Sequence, residues 1–529
     1  MPHFLPANRP AAVRAACLVA VAAACIASVT WPFLLPGELV WRDMVVPADM
    51  ALSPANFGGG DLPARALPQD GLLALAAQLV PAHWLVRALV IGSAGAAAWG
   101  GWRLTRLCAP APRHSSEPVV DRRLLGPAAA IAVCVLNPLV VERLLQGQWS
   151  VAVAAWLGPA IAAAGLAGRR PEQWAAMFLS SLTPTGALTG ALMGIATARR
   201  RLATALYGLA LCLPWALPGL LSVVRGTAPG MDAAAAVAAF APRAEAHAGL
   251  LVTVLGLGGV WNAEAVPASR QAGFALFGVL LIAVVAFGWA RLSRAGRGAG
   301  SLRWPAGGGA LLVLAALGLG GVLLGAVFPG PLAWVVDTVP GSGLLRDSQK
   351  FLALAVPAYA MGLGAVRGPS AAAGLVTVAL LVPDAARAVA PLQPRPAGTD
   401  SALVHQLGGR DALFVDRPEL VEVPGGVAVD PYAKVAAKVQ SGALRVDGAV
   451  VDYPAPRWVA AQRAWQDRDV RRLERLGVGA VVEGGQIVAE TDAGPQPRPW
   501  GLVVAWLLTP LAAGLIARGL CRSRARANP

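Results

Sequence analysis

Long apolar runs recur along the chain, and short arginine-rich stretches separate them. Many of these runs reach the ~20 residues that an α-helix needs to cross a bilayer. Only 14% of the 529 residues are charged, whereas soluble domains carry about 25%. An α-helix satisfies its own backbone hydrogen bonds inside lipid. We therefore predict a polytopic α-helical membrane protein.

The arginines predict the topology, because basic loops stay in the cytoplasm. Counting from a cytoplasmic N-terminus gives about 10–12 spans, including a broken re-entrant pair between two basic clusters. The predicted segments are 11–33, 82–102, a span ending at Asn137, a span returning to Arg169, the re-entrant pair at 172–198, then 202–224, 271–290, 306–328, 350–366, 370–387 and 499–518. Between the first two spans, Asp70 is expected to cap a short helix at the outer surface. Both termini then face the cytoplasm of a plasma-membrane protein. The net charge of +15 reflects topology, so we expect no nucleic-acid partner.

Three regions follow from this topology. Residues 1–387 form the multi-span domain, 388–498 lie outside the membrane, and 499–529 hold the last span and a basic tail. The outer region has predicted strands in "DALFVD" and "GAVVDYP", and a predicted hairpin in "GAVVEGGQIVAE". Its predicted helices are "RWVAAQRAW" and "DVRRLERLG", the second capped by Asp467 and ended by Gly477. We expect a small extracytoplasmic α/β domain.

The motifs of soluble catalytic sites do not occur in the chain. Six cysteines lack a CxxC pair, and five histidines lack the spacing of metal ligands. We predict no disulfide framework, no metal site and no cofactor, and we leave a divalent-metal requirement open. The sequence also contains no GxSxG elbow, P-loop, HExxH motif or Rossmann fingerprint.

Polar residues gather in four clusters that the topology places at the outer surface. The predicted spans carry almost no charge, whereas transporters usually place ionisable residues within the bilayer. This distribution favours a site at the outer membrane face. The clusters are Arg42-Asp43, "NPLVVERLLQGQW" (137–149), "GVWNAEAVP" (259–267) and "RDSQK" (346–350).

With these clusters the chain resembles the GT-C superfamily of polytopic glycosyltransferases, and more closely a group of actinobacterial integral membrane proteins. The matching segments are "LPGELVWRDMVVPADMALSP", "LNPLVVERLLQGQWSV", "LGGVWNAEAVP", "GSGLLRDSQKFLAL" and "LERLGVGAVVE". The resemblance implies a catalytic carboxylate in the first outer loop, a position that Asp43 matches. It also implies a polyprenyl-phosphate sugar donor, a cell-envelope glycan or glycolipid acceptor, and contact with membrane lipids. Asp49 and Asp61 are secondary candidates, and an Arg42–Asp43 pair that only organises the loop is the alternative.

The second cluster offers substrate contacts. Asn137 is predicted to cap a helix, with Pro138 at its first position. Glu142 and Gln146 then lie one turn apart, and Arg143 faces elsewhere. Glu142 and Arg143 either contact substrate or brace neighbouring loops.

The third cluster has the residue types of a sugar site. Asn262 and Glu264 are candidates to bind sugar hydroxyls, with Trp261 as an apolar platform. A plain turn explains these residues equally well.

The fourth cluster precedes a predicted inward-running span, so the N-terminus of that helix faces outward. Asp347, also a substrate-binding candidate, or Ser348 is predicted to cap it. Capping leaves the two cations unexplained, because a helix dipole disfavours positive charge at this end. A positive helix end with Arg346 and Lys350 suits a phosphate. We therefore predict that they bind the donor phosphate. The alternative for Lys350 is contact with lipid headgroups.

Two other functions fit the same layout. A non-catalytic transporter or assembly partner for envelope lipids or polysaccharide would share the topology and lack the catalytic carboxylate. A protein-docking module on a membrane anchor would not need so many spans.

Overall fold

The computed structural model describes residues 9–63, 66–108, 124–224, 229–295 and 307–497, with parts of 500–515. This part of the chain is mostly helical, with small sheets. The predicted last span and the basic tail lie largely outside the described residues. The α-helices are α1 (Arg9–Thr30), α2 (Gln69–Ala76), α3 (Ala82–Cys108), α4 (Leu125–Val135), α5 (Pro138–Leu145), α6 (Trp149–Leu166), α7 (Arg170–Ser180), α8 (Pro184–Thr197), α9 (Arg201–Val224), α10 (Ala233–Ala239), α11 (Gly249–Leu255), α12 (Ala268–Gln271), α13 (Phe277–Ala295), α14 (Gly308–Val327), α15 (Pro329–Thr338), α16 (Val356–Ala365), α17 (Pro369–Leu381), α18 (Ala385–Ala388), α19 (Ser401–Leu407), α20 (Tyr432–Val435), α21 (Pro456–Gln466) and α22 (Val470–Arg475).

Seven helical segments among the described residues are long and apolar enough to cross a membrane. Their number and composition are those of a polytopic helical membrane protein, as predicted. They are Ala12–Leu34, Leu125–Leu145, Trp149–Leu166, Arg201–Val224, Phe274–Arg294, Gly308–Val327 and Pro369–Ala388.

Three predicted segments within the described residues are not among these seven. Residues 82–102 belong to α3, a continuous helix of 27 residues. Residues 172–198 form two short helices, α7 and α8, as the broken pattern predicted. The predicted span at 350–366 is wrong as one helix. A 3₁₀-helix covers Ser348–Leu354 and α16 begins only at Val356, because Pro357 lacks an N–H and fits the first turn of a helix.

The centre of the bundle is built from α3, α4, α6 and α16. Nearly all residues of α4, α6 and α16 are buried. Small residues allow the closest packing, since a Cβ at Gly100 in α3 would lie 2.5 Å from the backbone nitrogen of Ala160 in α6. The outer helices α9, α13 and α14 instead expose leucine and valine side chains. Such exposure suits contact with lipid.

The C-terminal region contains most of the strands and forms the α/β fold that was predicted. The strands are β1 (Leu39–Trp41), β2 (Met44–Val46), β3 (Ala412–Phe414), β4 (Leu420–Val423), β5 (Gly426–Val429), β6 (Leu444–Val446), β7 (Ala449–Asp452), β8 (Ala480–Glu483) and β9 (Gln486–Glu490). In the main sheet β8 lies between β3, to which it is parallel, and β9, to which it is antiparallel. The β8–β9 hairpin turns at Gly484-Gly485, as the sequence predicted. The remaining strands form the antiparallel pairs β1–β2, β4–β5 and β6–β7.

Two predicted helix caps are wrong. Asp469, not Asp467, caps α22, and its carboxylate accepts a hydrogen bond from the Arg472 N–H at 2.9 Å. The reason is that α21 continues to Gln466, which leaves Asp467 at its C-terminal end. Asp70 lies within the first turn of α2 and makes no cap. It forms a 2.6 Å ion pair with Lys434 of the C-terminal domain instead.

Candidate functional site

The four polar clusters of the sequence come together in the folded chain. Arg42 pairs with Glu264 at 2.8 Å. Asp43 accepts a hydrogen bond of 3.1 Å from the amide of Gln148. The 346–350 cluster joins the others through Arg143, whose guanidinium binds the carboxylate of Asp347 at 2.6 and 2.7 Å.

Asp43 lies at the turn of the β1–β2 hairpin, in which Trp41 faces Met44. Arg42, the other turn residue, has a φ of +49°, a conformation uncommon for a residue with a side chain. The loop after α5 supports this turn. The Trp41 indole N–H donates to the Leu145 carbonyl at 2.7 Å. The Asp43 N–H donates to the Gln146 carbonyl at 3.3 Å. The hairpin is thereby fixed against the end of α5.

The Asp43 side chain is exposed to solvent, yet protein atoms crowd its carboxylate. The resulting loss of hydration raises its pKa, and the negative charge of Asp347 acts in the same direction. Hydrogen bonds from Gln148 and Gln146 and the positive charge of Arg143 lower the pKa, but the net shift is upward. Asp43 is therefore an accessible carboxylate with increased affinity for a proton.

Helix α5 begins as the sequence predicted. The Asn137 side chain accepts a hydrogen bond from the Val140 N–H at 3.2 Å, and Pro138 occupies the first position. Arg143 and Glu142 have different charged neighbours, Asp347 and Arg270, and Gln349 contacts both residues. Gln349 donates to Glu142 at 3.0 Å and accepts from the Arg143 Nε at 2.9 Å.

Asp347 is held by side-chain contacts and caps no helix. Neither Asp347 nor Ser348 makes a capping hydrogen bond to the 3₁₀-helix that follows. Burial opposes ionisation of Asp347, but the charges of Arg143, Lys350 and Arg346 outweigh it and lower the pKa. The predicted cap is wrong because the carboxylate is already engaged by Arg143.

A second buried charged group continues this network, and sequence reasoning missed it. Arg270 forms an ion pair with Glu245 and lies 3.7 Å from Glu142. Backbone N–H groups complete the group, with Gly259 donating to Glu245 at 2.9 Å and Val260 to Glu142 at 3.0 Å. The available signal was a charged residue at the edge of an apolar run, the position of both Glu245 and Arg270.

The 259–267 segment braces the Asp43 turn from the other side. Asn262 donates to the side chain of Gln146 at 2.7 Å. Trp261 is half-buried and packs edge-to-face on Phe240, with ring centroids 4.7 Å apart. The Glu264 side chain remains 75% exposed despite its pair with Arg42. Asn262 and Glu264 therefore contact residues next to Asp43, whereas Trp261 packs on Phe240. The predicted contact of these three residues with a sugar stays a prediction.

The two cations predicted to bind phosphate are both buried. The Arg346 guanidinium binds Asp452 of the C-terminal domain at 2.8 and 3.0 Å. It also lies over the ring of Phe240 at 4.3 Å. A phosphate would have to share the Arg346 guanidinium with Asp452. The phosphate role of Arg346 and Lys350 stays a prediction.

The secondary carboxylates have different surroundings. Asp49 is exposed. Asp61 pairs with Arg457 at 3.4 Å, and Arg457 also binds Asp411 at 2.5 Å. Burial is the main cause of the raised pKa of Asp61. Asp61 thus links its own loop to the C-terminal domain through an ion pair with Arg457.

The residues described by the structure hold no cluster of three His, Cys, Asp or Glu side chains that could bind a metal ion. Comparison of the chain with family models, curated proteins and solved structures gives no match.

Proposed function

We propose that the protein is a glycosyltransferase of the outer face of the plasma membrane. It moves a sugar from a polyprenyl-phosphate donor to a cell-envelope glycan or glycolipid. The observation that carries this proposal is Asp43, an exposed carboxylate with a raised pKa at the meeting point of four polar clusters.

Asp43 acts as the general base. It removes the proton from an acceptor hydroxyl while the hydroxyl oxygen attacks the anomeric carbon of the donor. The bond between that carbon and the phosphate oxygen breaks, and polyprenyl phosphate leaves. A raised pKa favours this role, because a carboxylate with a higher pKa is a stronger base.

The supporting residues keep the base in place. Gln148 donates to Asp43 and also accepts a 2.6 Å hydrogen bond from Arg143. Arg143 is itself held by Asp347 and Gln349 on the segment that contains Arg346 and Lys350. We assign these last two residues to the departing phosphate, since cations stabilise negative charge that develops in the transition state.

The test uses purified full-length protein in lipid nanodiscs with a panel of radiolabelled polyprenyl-phosphate hexoses and pentoses. An envelope glycolipid extract serves as the acceptor. Asp43→Asn should lower transfer at least about 100-fold, the usual contribution of a general base. Its thermal unfolding midpoint should not fall below that of the unmodified protein, because an exposed loop carboxylate contributes less than about 0.5 kcal/mol.

Asp49→Asn is the matched control, since Asp49 is an exposed carboxylate in the same outer loop. It should transfer normally. Wild-type transfer by Asp43→Asn would remove Asp43 as the base. If the unmodified protein transfers no sugar, and a strain with only Asp43→Asn has a normal envelope, the non-catalytic transporter or assembly partner is favoured.

A further inference from the structure

Strand β5 of the C-terminal domain pairs with the turn that carries Asp43. The Arg42 N–H donates to the Val427 carbonyl at 2.9 Å, and the Val429 N–H donates to the Arg42 carbonyl at 2.9 Å. Ala428, between these two strand residues, is fully buried. The domain therefore holds the backbone of the residue next to Asp43.

A second edge of the domain, β7, pairs with the segment that leads into α10. The Asp232 N–H donates to the Val451 carbonyl at 3.0 Å, and the Tyr453 N–H donates to the Gly230 carbonyl at 2.9 Å. Asp452 lies between these two pairing residues of the domain. Its position is fixed by backbone hydrogen bonds on both sides.

The Asp452 carboxylate binds the Arg346 guanidinium through Nη1 at 2.8 Å and Nη2 at 3.0 Å. Both residues are buried, with 4% and 7% of their surfaces exposed. Removing one partner from a buried ion pair leaves the other charge uncompensated. Two parallel hydrogen bonds also set the plane and direction of the guanidinium. Asp452 thus determines where Arg346 points.

Asp347, the residue after Arg346, connects this ion pair to Asp43. Asp347 binds Arg143, Arg143 donates to Gln148, and Gln148 donates to Asp43. Resting on the proposed function, we propose that the C-terminal domain is a working part of the transfer site. Asp452 is its positioning residue, and it holds Arg346 in place for the donor phosphate.

The test compares Asp452→Asn with Asp447→Asn in the full-length protein. Asp447 is the matched control, because it is an exposed aspartate in the turn of the same β6–β7 hairpin. Hydrogen exchange at the Asp232 amide reports the pairing of β7 without any substrate. In Asp452→Asn this exchange should accelerate at least about tenfold, or about 1.4 kcal/mol. In Asp447→Asn it should not change.

Transfer kinetics give the second measurement. Asp452→Asn should lower kcat/KM for the lipid donor at least about tenfold and leave the KM of the acceptor unchanged. Asp452→Glu, which keeps the charge, should recover part of the loss. A structural defect alone would not separate donor from acceptor in this way.

Equal exchange in Asp452→Asn and Asp447→Asn would overturn the positioning role. Faster exchange with wild-type donor kinetics would also overturn it, since Asp452 would then dock the domain without serving the site. If the unmodified protein transfers no sugar from any donor, the proposed function fails. The exchange at Asp232 still decides whether Asp452 holds the domain edge.

Discussion

Gly147 lets the loop between α5 and α6 lie directly against the turn that carries Asp43. Its φ is +81°, and a Cβ added there would lie 2.5 Å from both the Trp41 carbonyl oxygen and the Met44 nitrogen. Real Cβ atoms do not approach backbone atoms so closely, so Gly147→Ala must displace the hairpin. Gly341 is the matched control, because its φ is +84° and a Cβ there would meet no atom within 4 Å.

Both substitutions place alanine in a left-handed backbone conformation, and only one of them also causes a steric clash. Alanine in the left-handed region costs about 1 kcal/mol at either position. Only Gly147→Ala also forces packed backbone apart, and overpacking typically adds about 1–3 kcal/mol. We therefore expect a loss of about 2–4 kcal/mol for Gly147→Ala and about 1 kcal/mol for Gly341→Ala.

Thermal unfolding in detergent, followed with a thiol-reactive dye, measures this difference. Cys108 and Cys134 are buried, so they react when the bundle opens. The unfolding midpoint of Gly147→Ala should lie below that of Gly341→Ala by at least about 2 °C, since each kcal/mol shifts a large domain by about 2–4 °C. Gly147→Ala should also slow transfer by moving Asp43. Equal midpoints and equal transfer rates for the two variants would refute the steric argument.

Two further predictions concern pH and topology. Transfer should rise with pH through a pKa above the ordinary 3.8 of an aspartate, because the base acts only when deprotonated. The raised folded-state pKa also means that ionising Asp43 destabilises the fold as pH rises, so Asp43→Asn should gain relative stability in that range. Initial rates of transfer between about pH 4 and 8 test the predicted pH dependence of activity. A rate that falls only at or below pH 3.8 would contradict the raised pKa. In cells whose protein lacks other cysteines, Ser401→Cys, at an exposed position, should react with an impermeant maleimide. A sole Cys521 should react only after permeabilisation, and the reverse pattern would invert the topology.

The sequence identified the four polar clusters because charge is rare in so apolar a chain. The structure brings Arg42, Asp43, Glu142, Arg143 and the 346–350 segment together, although all of them except Asp43 are buried. The sequence could not assign their partners. Arg143 and Asp347 are 204 positions apart, and no local pattern connects them.

Two of the wrong predictions share a physical cause. Local rules assigned Asp70 and Asp347 to helix caps, an interaction that contributes about 1 kcal/mol. Both carboxylates instead meet a distant cation, Lys434 for Asp70 and Arg143 for Asp347. Leaving a buried charge unpaired costs several kcal/mol, so a distant ion pair outweighs a cap.

The long sequence separations within the site have a consequence for synthesis. Glu264 is synthesised 222 residues after Arg42, and Asp347 is synthesised 204 residues after Arg143. At a translation rate of about 5–20 residues per second, each interval lasts about 10–40 s. During that interval the β1–β2 turn and helix α5 carry arginines whose carboxylate partners are not yet synthesised. The Asp43 turn therefore lacks its β5 partner until the ribosome has delivered Gly426–Val429.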